Sequence, residues 1–367
     1  MASAVNESAE VNVSVLNLAG DVVATWRGAV ETSIQTVKRE VAKRGGPPPA
    51  CQVLSLEENH LKDEETFRDL KCTGDLTLTL VTTGGLNVWK LINTLMDPKG
   101  GPEYLQDIAE EDLLRLCELS SRVFLSEAPV LHVPDGVVVF GSLSGEFHQL
   151  RHIFATCGDV LTTRYVGLGN YCNRGEHGIE TLGLLFSYKC MFPENFILLR
   201  GKHVCVVQNR VLCVCSGLSC EHGFDFLQRL ERPTDIPDEG FLCDLLWAEP
   251  DLHIAGFSDS IRDGNKFGPD VVQNFLRANN FEMMCRTAVV DEGFEWFGDT
   301  KLVTIISVAN YAGEFNNKGA VMLIDDNGNA TFSVFESGAA PKAPRQRSLS
   351  PSSAPAALAP LAKDAAG

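Results

Sequence analysis

The stretch from 137 to 307 constrains the fold most. Five short apolar runs, Val137–Phe140, Tyr165–Leu168, Ile197–Leu199, Val211–Val214 and Val303–Ser307, are each bounded by Gly or polar residues. Runs this short and this continuous read as strands covered on both faces. Between them, helical spacing predicts helices at Asp107–Leu125, Phe147–Thr156, Ile179–Tyr188 and Asp270–Ala278. Strands buried on both sides need covering layers, so these elements predict a sheet flanked by helices. In such an arrangement chemistry sits on loops just past the strand ends.

With 367 residues, 44% hydrophobic and 22% charged, the chain is expected to fold into two or three domains. Its 31 Lys and Arg against 48 Asp and Glu leave a net charge of −17. A chain this acidic repels nucleic acid and anionic lipid, so neither is expected as a partner. Nowhere does an uncharged apolar run reach the ~18 residues of a membrane span, and residues 1–11 lack the basic and apolar pattern of a leader. No membrane partner is expected, and the expected location is intracellular, cytoplasmic or nuclear. Twelve cysteines in a chain large enough to fold without cross-links read as reduced thiols.

Residues 11–82 read as a small roll. Val11, Val13 and Val15 alternate, Gly20-Asp21 supplies a turn, and Val22, Ala24 and Trp26 alternate again, which predicts a hairpin. Thr32 or Ser33 caps a helix with Ile34, Val37 and Val41 on one face, stopped by Gly45-Gly46 and three prolines. Val53-Leu54 and the alternating Leu76, Leu78 and Leu80 supply later strands. The stretches VNVSVLNLAGD, SIQTVKREVAKRGGPPP, QVLSL and GDLTLTLVTTGG resemble a ubiquitin-like domain, a β-grasp roll, over its full length. The resemblance implies a module that docks protein partners. Of the family's apolar recognition patch Leu18 matches, whereas Ser55 and Thr79 stand at the other two positions. Gly84-Gly85 falls at the family's terminal diglycine, but the chain runs on into Leu86 and the pair reads as a linker.

Residues 337–367 hold ten Ala and five Pro with few large apolar side chains, too little to offset ordering entropy, and are expected to be a disordered tail. Its basic residues include Arg345 and Arg347 beside Ser348 and Ser350, a pattern resembling a kinase target.

A second resemblance covers residues 86–336. The stretches LCELSSRVFLSEAPVL, NYCNRGEHGIETLGLLFSYKCMFPENFILLRGKH, RPTDIPDEGFLCDLLWAEPD and SVANYAGEFNNKGAVM are similar to the serine/threonine phosphoprotein phosphatase family, a branch of the calcineurin-like metallophosphoesterases. It implies a β-sandwich with flanking helices. It also implies two divalent ions, such as manganese or iron and zinc, that activate a water against a phosphoserine or phosphothreonine ester. The expected architecture is thus an α+β and α/β multidomain chain: β-grasp roll, metallophosphoesterase sandwich, disordered tail.

Two adjacent dications need carboxylate and imidazole ligands, and the positions that match the family's ligands carry neither. GDxHG reads Gly141-Ser142-Leu143-Ser144-Gly145, and GDxVDRG reads Gly169-Asn170-Tyr171-Cys172-Asn173-Arg174-Gly175. Lys202 stands at the GNHE asparagine, Cys215 at the HGG histidine, and the last histidine falls at Thr287-Ala288, taken as Ala288. These substitutions predict that no metal or other cofactor binds and that the chain is a pseudophosphatase. The residues that match the family's phosphate contacts persist: Arg174, Arg262, Tyr311 and His203, the remnant of the family's leaving-group acid, with Lys202 adding charge. They predict an anion pocket for phosphorylated proteins. The alternative is a residual phosphatase using altered ligands.

Only eleven residues separate His203 from Cys215, several tens fewer than the resemblance implies, which predicts either a trimmed scaffold with exposed apolar surface or an incomplete gene model. The crowding of His203, Cys205, Cys213, Cys215, Cys220 and His222 raises zinc as a weaker option, without CxxC spacing. Gly167-Leu168-Gly169 lacks the third glycine of a dinucleotide site.

Overall fold

A computed structural model of the chain describes residues 10–57, 59–72, 74–82, 86–97, 104–134, 136–199, 204–207, 209–221, 223–260 and 264–337. The expected tail beyond 337, the Gly84-Gly85 pair and the site residues Lys202, His203 and Arg262 lie outside them.

Residues 10–82 fold as the alternating pattern predicts. Strand Glu10–Asn17 pairs antiparallel with Val22–Ala29 and parallel with Gly74–Thr82, which pairs antiparallel with Gln52–Leu56. Across this sheet lies helix Ile34–Lys43, and it is Ser33, not Thr32, whose hydroxyl caps it by accepting from the Thr36 N–H. Val11, Val13 and Val15 meet Ile34, Val37, Val41 and Leu78 in one apolar cluster. Ser55 and Thr79 stand opposite each other in register, and the buried Ser55 makes a 2.8 Å hydrogen bond with His60 Nδ1. Leu18, in the hairpin turn, is 75% exposed.

Among the described residues, the larger unit stacks a six-stranded on a five-stranded sheet. The first runs Phe294–Phe297, Leu302–Ile305, Met283–Thr287, Val211–Cys213, Val204–Val207, Val130–Val133; the second runs Ala330–Phe335, Gly319–Ile324, Val137–Phe140, Arg164–Gly167, Phe196–Leu198. Their inner faces share one apolar cluster, including Val139, Val166, Ile197, Cys213, Cys285, Val303 and Met322. Helices Val88–Met96, Glu110–Ser126, Phe147–Cys157 and Gly178–Met191 pack on the five-stranded sheet. Helices Phe241–Trp247 and Pro269–Ala278 cover the six-stranded one.

The predicted strands and helices appear with ends shifted by no more than three residues, and Val137–Phe140 matches at both ends. Strands at 130–133, 204–207, 283–287, 294–297, 319–324 and 330–335, and the helix Val88–Met96, were not legible in the apolar runs. Several carry polar residues or sit where only their neighbours supply cover. The shortened connection is an antiparallel hairpin, Val204–Val207 with Val211–Cys213, turned at Asn209, whose φ is +55°. The roll packs onto the larger unit rather than standing apart. Ala42 and Cys51 join the cluster of Leu91, Leu95 and Cys190, and the Trp89 indole N–H donates to the Ala42 carbonyl at 2.7 Å. Arg39 also pairs with Glu194.

Candidate functional site

The site forms where strand ends of both sheets meet. Val137–Phe140 leads into Gly141-Ser142, and Ser142 bridges in parallel to Ile306 at the end of Leu302–Ile305. The Gly141 N–H donates to Ser307 Oγ at 2.8 Å, and the Ser307 hydroxyl donates to the Ala320 carbonyl at 2.6 Å, tying the two sheets together. Register then selects the neighbour. Cys213 stands beside Cys285, the Val214 N–H donates to Cys285 O, and the Thr287 N–H donates to Cys215 O at 3.0 Å. Side chains alternate along a strand, so Thr287 faces the site while Arg286 faces the helices behind the sheet.

At the centre is a neutral hydrogen-bonded cluster. The Ser142 backbone N–H donates to Thr287 Oγ1 at 2.7 Å, the two hydroxyl oxygens lie 2.9 Å apart, and the Asn170 side-chain amide donates to Ser142 Oγ at 3.2 Å. The Thr287 hydroxyl in turn donates to the Ile305 carbonyl at 2.7 Å. Ser142, Ser144 and Thr287 are buried. Cys215, also buried, closes one side; a Cβ on Gly169, whose φ is +120°, would sit 3.0 Å from its sulfur, so this turn needs glycine on both counts. The Tyr171 hydroxyl donates to the Gly167 and Leu199 carbonyls, and burial pushes its pKa well up.

Of the positions matched to metal ligands, Ser142, Asn170 and Cys215 come together, and Ser144 joins through its backbone: its N–H donates to Asn170 O at 2.8 Å and its carbonyl accepts from Arg174 N at 3.0 Å. Ala288 contributes no polar group. The residue on that strand that enters the cluster is Thr287, one position earlier, because the pairing Thr287–Ile305 turns it inward. Strand register was the missing signal. Arg174 is exposed, and among the described residues no hydrogen bond or ion pair engages its guanidinium. Tyr311 opens the one-turn helix Tyr311–Gly313, where its N–H donates to Asn317 Oδ1 and its ring meets Phe315 edge-on at 5.5 Å.

The donor set does not fit two dications. Hydroxyls and an amide that already satisfy one another supply no anionic bridge, and among the described residues no group of three His, Cys, Asp or Glu is placed to hold a metal ion. The zinc option does not gather either: Cys213 is buried between the sheets, whereas Cys220 is exposed and accepts from Asn265 Nδ2. Cys205 is described only in its backbone, and His203 and His222 lie outside the described residues. A cation buried in the same sheet is Arg286, pushed down to about 10 by burial, its Nη2 3.5 Å from Ser216 Oγ and its Nε without a partner.

Residues 129–287 match the model of the calcineurin-like phosphoesterases. In fold, the chain is similar to a solved protein serine/threonine phosphatase from Saccharomyces cerevisiae with similarity to human phosphatase PP5. The TM-score is 0.62 at 20% identity, over 69% of this chain and 98% of that one. Among the described residues no helix is long and apolar enough to cross a membrane.

Proposed function

We propose that this chain is a pseudophosphatase: a serine/threonine-phosphatase-like domain that has lost phosphoester hydrolysis and binds phosphorylated proteins, joined to a ubiquitin-like module at 11–82 that docks protein partners. The observation that carries the reading is the neutral Ser142–Asn170–Thr287 cluster at the matched ligand positions. A phosphatase of this class needs carboxylates there to hold the ions that ionise its water. Keeping carboxylates without ions would strand like charges in the interior, and the matched positions Ser142, Asn170 and Cys215 carry none.

Phosphate recognition rests on Arg174, which is exposed with its guanidinium fork available for bidentate contact. Arg262, Lys202, His203 and Tyr311 complete the proposed anion pocket. The strand order of residues 10–82, with its first and last long strands parallel and adjacent, supports the ubiquitin-like reading.

The test uses purified full-length protein. Elemental analysis, a manganese-supplemented assay on a phosphoserine peptide, and binding of that peptide against its unphosphorylated twin are measured together. The expected result is no chelator-sensitive phosphate release, with a preference for the phosphopeptide that Arg174→Ala removes. About two metal ions per chain with chelator-sensitive turnover would establish the alternative, an active phosphatase with altered ligands. Equal binding of both peptides would remove the anion pocket.

A further inference from the structure

A cavity of about 600 Å³ adjoins the neutral cluster, within the size range of sites that enclose small molecules. Asn170 and Cys215 line it on the cluster side; Phe124, Leu125, Phe186 and Leu199 supply apolar wall. Two of its walls are helices, Glu110–Ser126 and Gly178–Met191, and a third is the strand end at Leu198-Leu199.

One cation belongs to the lining. Arg232 enters from the loop that precedes Pro233, and its Nη1 donates to the Phe124 carbonyl at 3.1 Å, which anchors the guanidinium beside the aromatic wall. Behind that wall Lys189 lies over the Phe124 ring at 5.8 Å and pairs with Glu127, and Glu127 also feels Arg232. Of these three charged groups Arg232 is the one that lines the cavity, in a chain whose net charge is −17. Arg232 therefore offers an anion a cationic contact within an acidic chain.

We propose that this cavity binds an amphipathic monoanion, a carboxylate on an unbranched apolar body, with the carboxylate against Arg232 and the body against Phe124, Leu125 and Phe186. A guanidinium takes a carboxylate through two parallel N–H donors, and apolar wall gains from covering a chain but not a solvated polar body. An aliphatic amine of equal length meets the same wall and the wrong charge. The cavity shares Asn170 and Cys215 with the neutral cluster, and the proposal holds whether or not the chain cleaves phosphoesters.

Isothermal titration of the full-length chain with decanoate, decan-1-ol and decylamine tests it. Decanoate is expected to bind at least about tenfold more tightly than decan-1-ol, as one charge-assisted hydrogen-bonded contact implies, with decylamine weakest. In Arg232→Gln the decanoate advantage disappears; in Arg232→Lys, which keeps the charge, part of it remains. Leu125→Trp, at a half-exposed position on the cavity wall, weakens decanoate and decan-1-ol alike by about tenfold. No binding of decanoate, equal affinity for acid and alcohol in the wild type, an advantage that survives Arg232→Gln, or indifference to Leu125→Trp would each overturn the proposal.

Discussion

Ser142 Oγ lies 2.9 Å from Thr287 Oγ1 in the buried interior of the site, and Asn170 donates to the same serine oxygen. Each polar atom there is satisfied by another neutral one. Among the described residues no cation is paired with these atoms. Ser142→Asp is therefore expected to lose about 3 kcal/mol of stability, read by urea unfolding, and to gain no manganese binding on its own. Unchanged stability would show that water reaches this cluster freely.

Restoring the ligand chemistry takes several substitutions together. Ser142→Asp, Ser144→His, Asn170→Asp, Cys215→His and Thr287→His combined are expected to bind manganese measurably, whereas the same combination with Ala288→His in place of Thr287→His binds markedly less, because residue 288 is not turned into the cluster. Competition with a metal-responsive dye measures the difference.

The Lys189 ammonium is fully buried, pairs with Glu127 and donates to the Pro193 carbonyl at 2.9 Å. Burial raises the Glu127 pKa, and Lys189 and Arg232 pull it back. Lys189→Met leaves that carboxylate facing apolar surface and is expected to cost about 3 kcal/mol in chemical unfolding. Adding Glu127→Leu should return most of the loss; a double variant as weak as the single would contradict the charge argument.

Docking of the roll depends on Trp89, which bonds Ala42 and meets Phe192 edge-on at 6.0 Å. Trp89→Ala removes both contacts. Amide exchange in Val88–Met96 is expected to speed up by about tenfold, the equivalent of one lost hydrogen bond with its packing, while the helix core around Val37 and Val41 keeps its protection. Equal acceleration in both would mean the roll itself has loosened.

Histidine burial sets a pH dependence. His148 is held below the usual imidazole value by burial, then by His177 and Arg151, and His152 is lowered by burial, its Nε2 unpartnered beside the Phe335 ring. With folded pKa values below the unfolded ones, the unfolded chain takes up more protons. Stability is then full above about pH 6.5 and falls as pH drops below it. Thermal unfolding at pH 7.5 and 6.0 should show the decline, and His152→Gln should flatten it.

Much of the fold was legible because it rests on local pattern. The alternation Val11, Val13, Val15, the stop at Gly45-Gly46 and the run Val137–Phe140 each dictate an element through the period of their side chains, whatever surrounds them. The neutral residues at 142, 144, 170 and 215 were equally plain, since side-chain chemistry is written in the chain. Gly319–Ile324 was harder to see, because pairing with Val137–Phe140, rather than any period of its own, makes it a strand.

Tertiary structure alone decided three things. It turned Thr287 rather than Ala288 into the cluster, because inward and outward faces are set by pairing with Leu302–Ile305. It laid the roll on Trp89, since contact between distant segments depends on complementary surfaces no single segment carries. And it brought Phe124, Phe186, Leu199 and Arg232 around one cavity, for enclosed space belongs to the arrangement of elements and has no counterpart in any one of them.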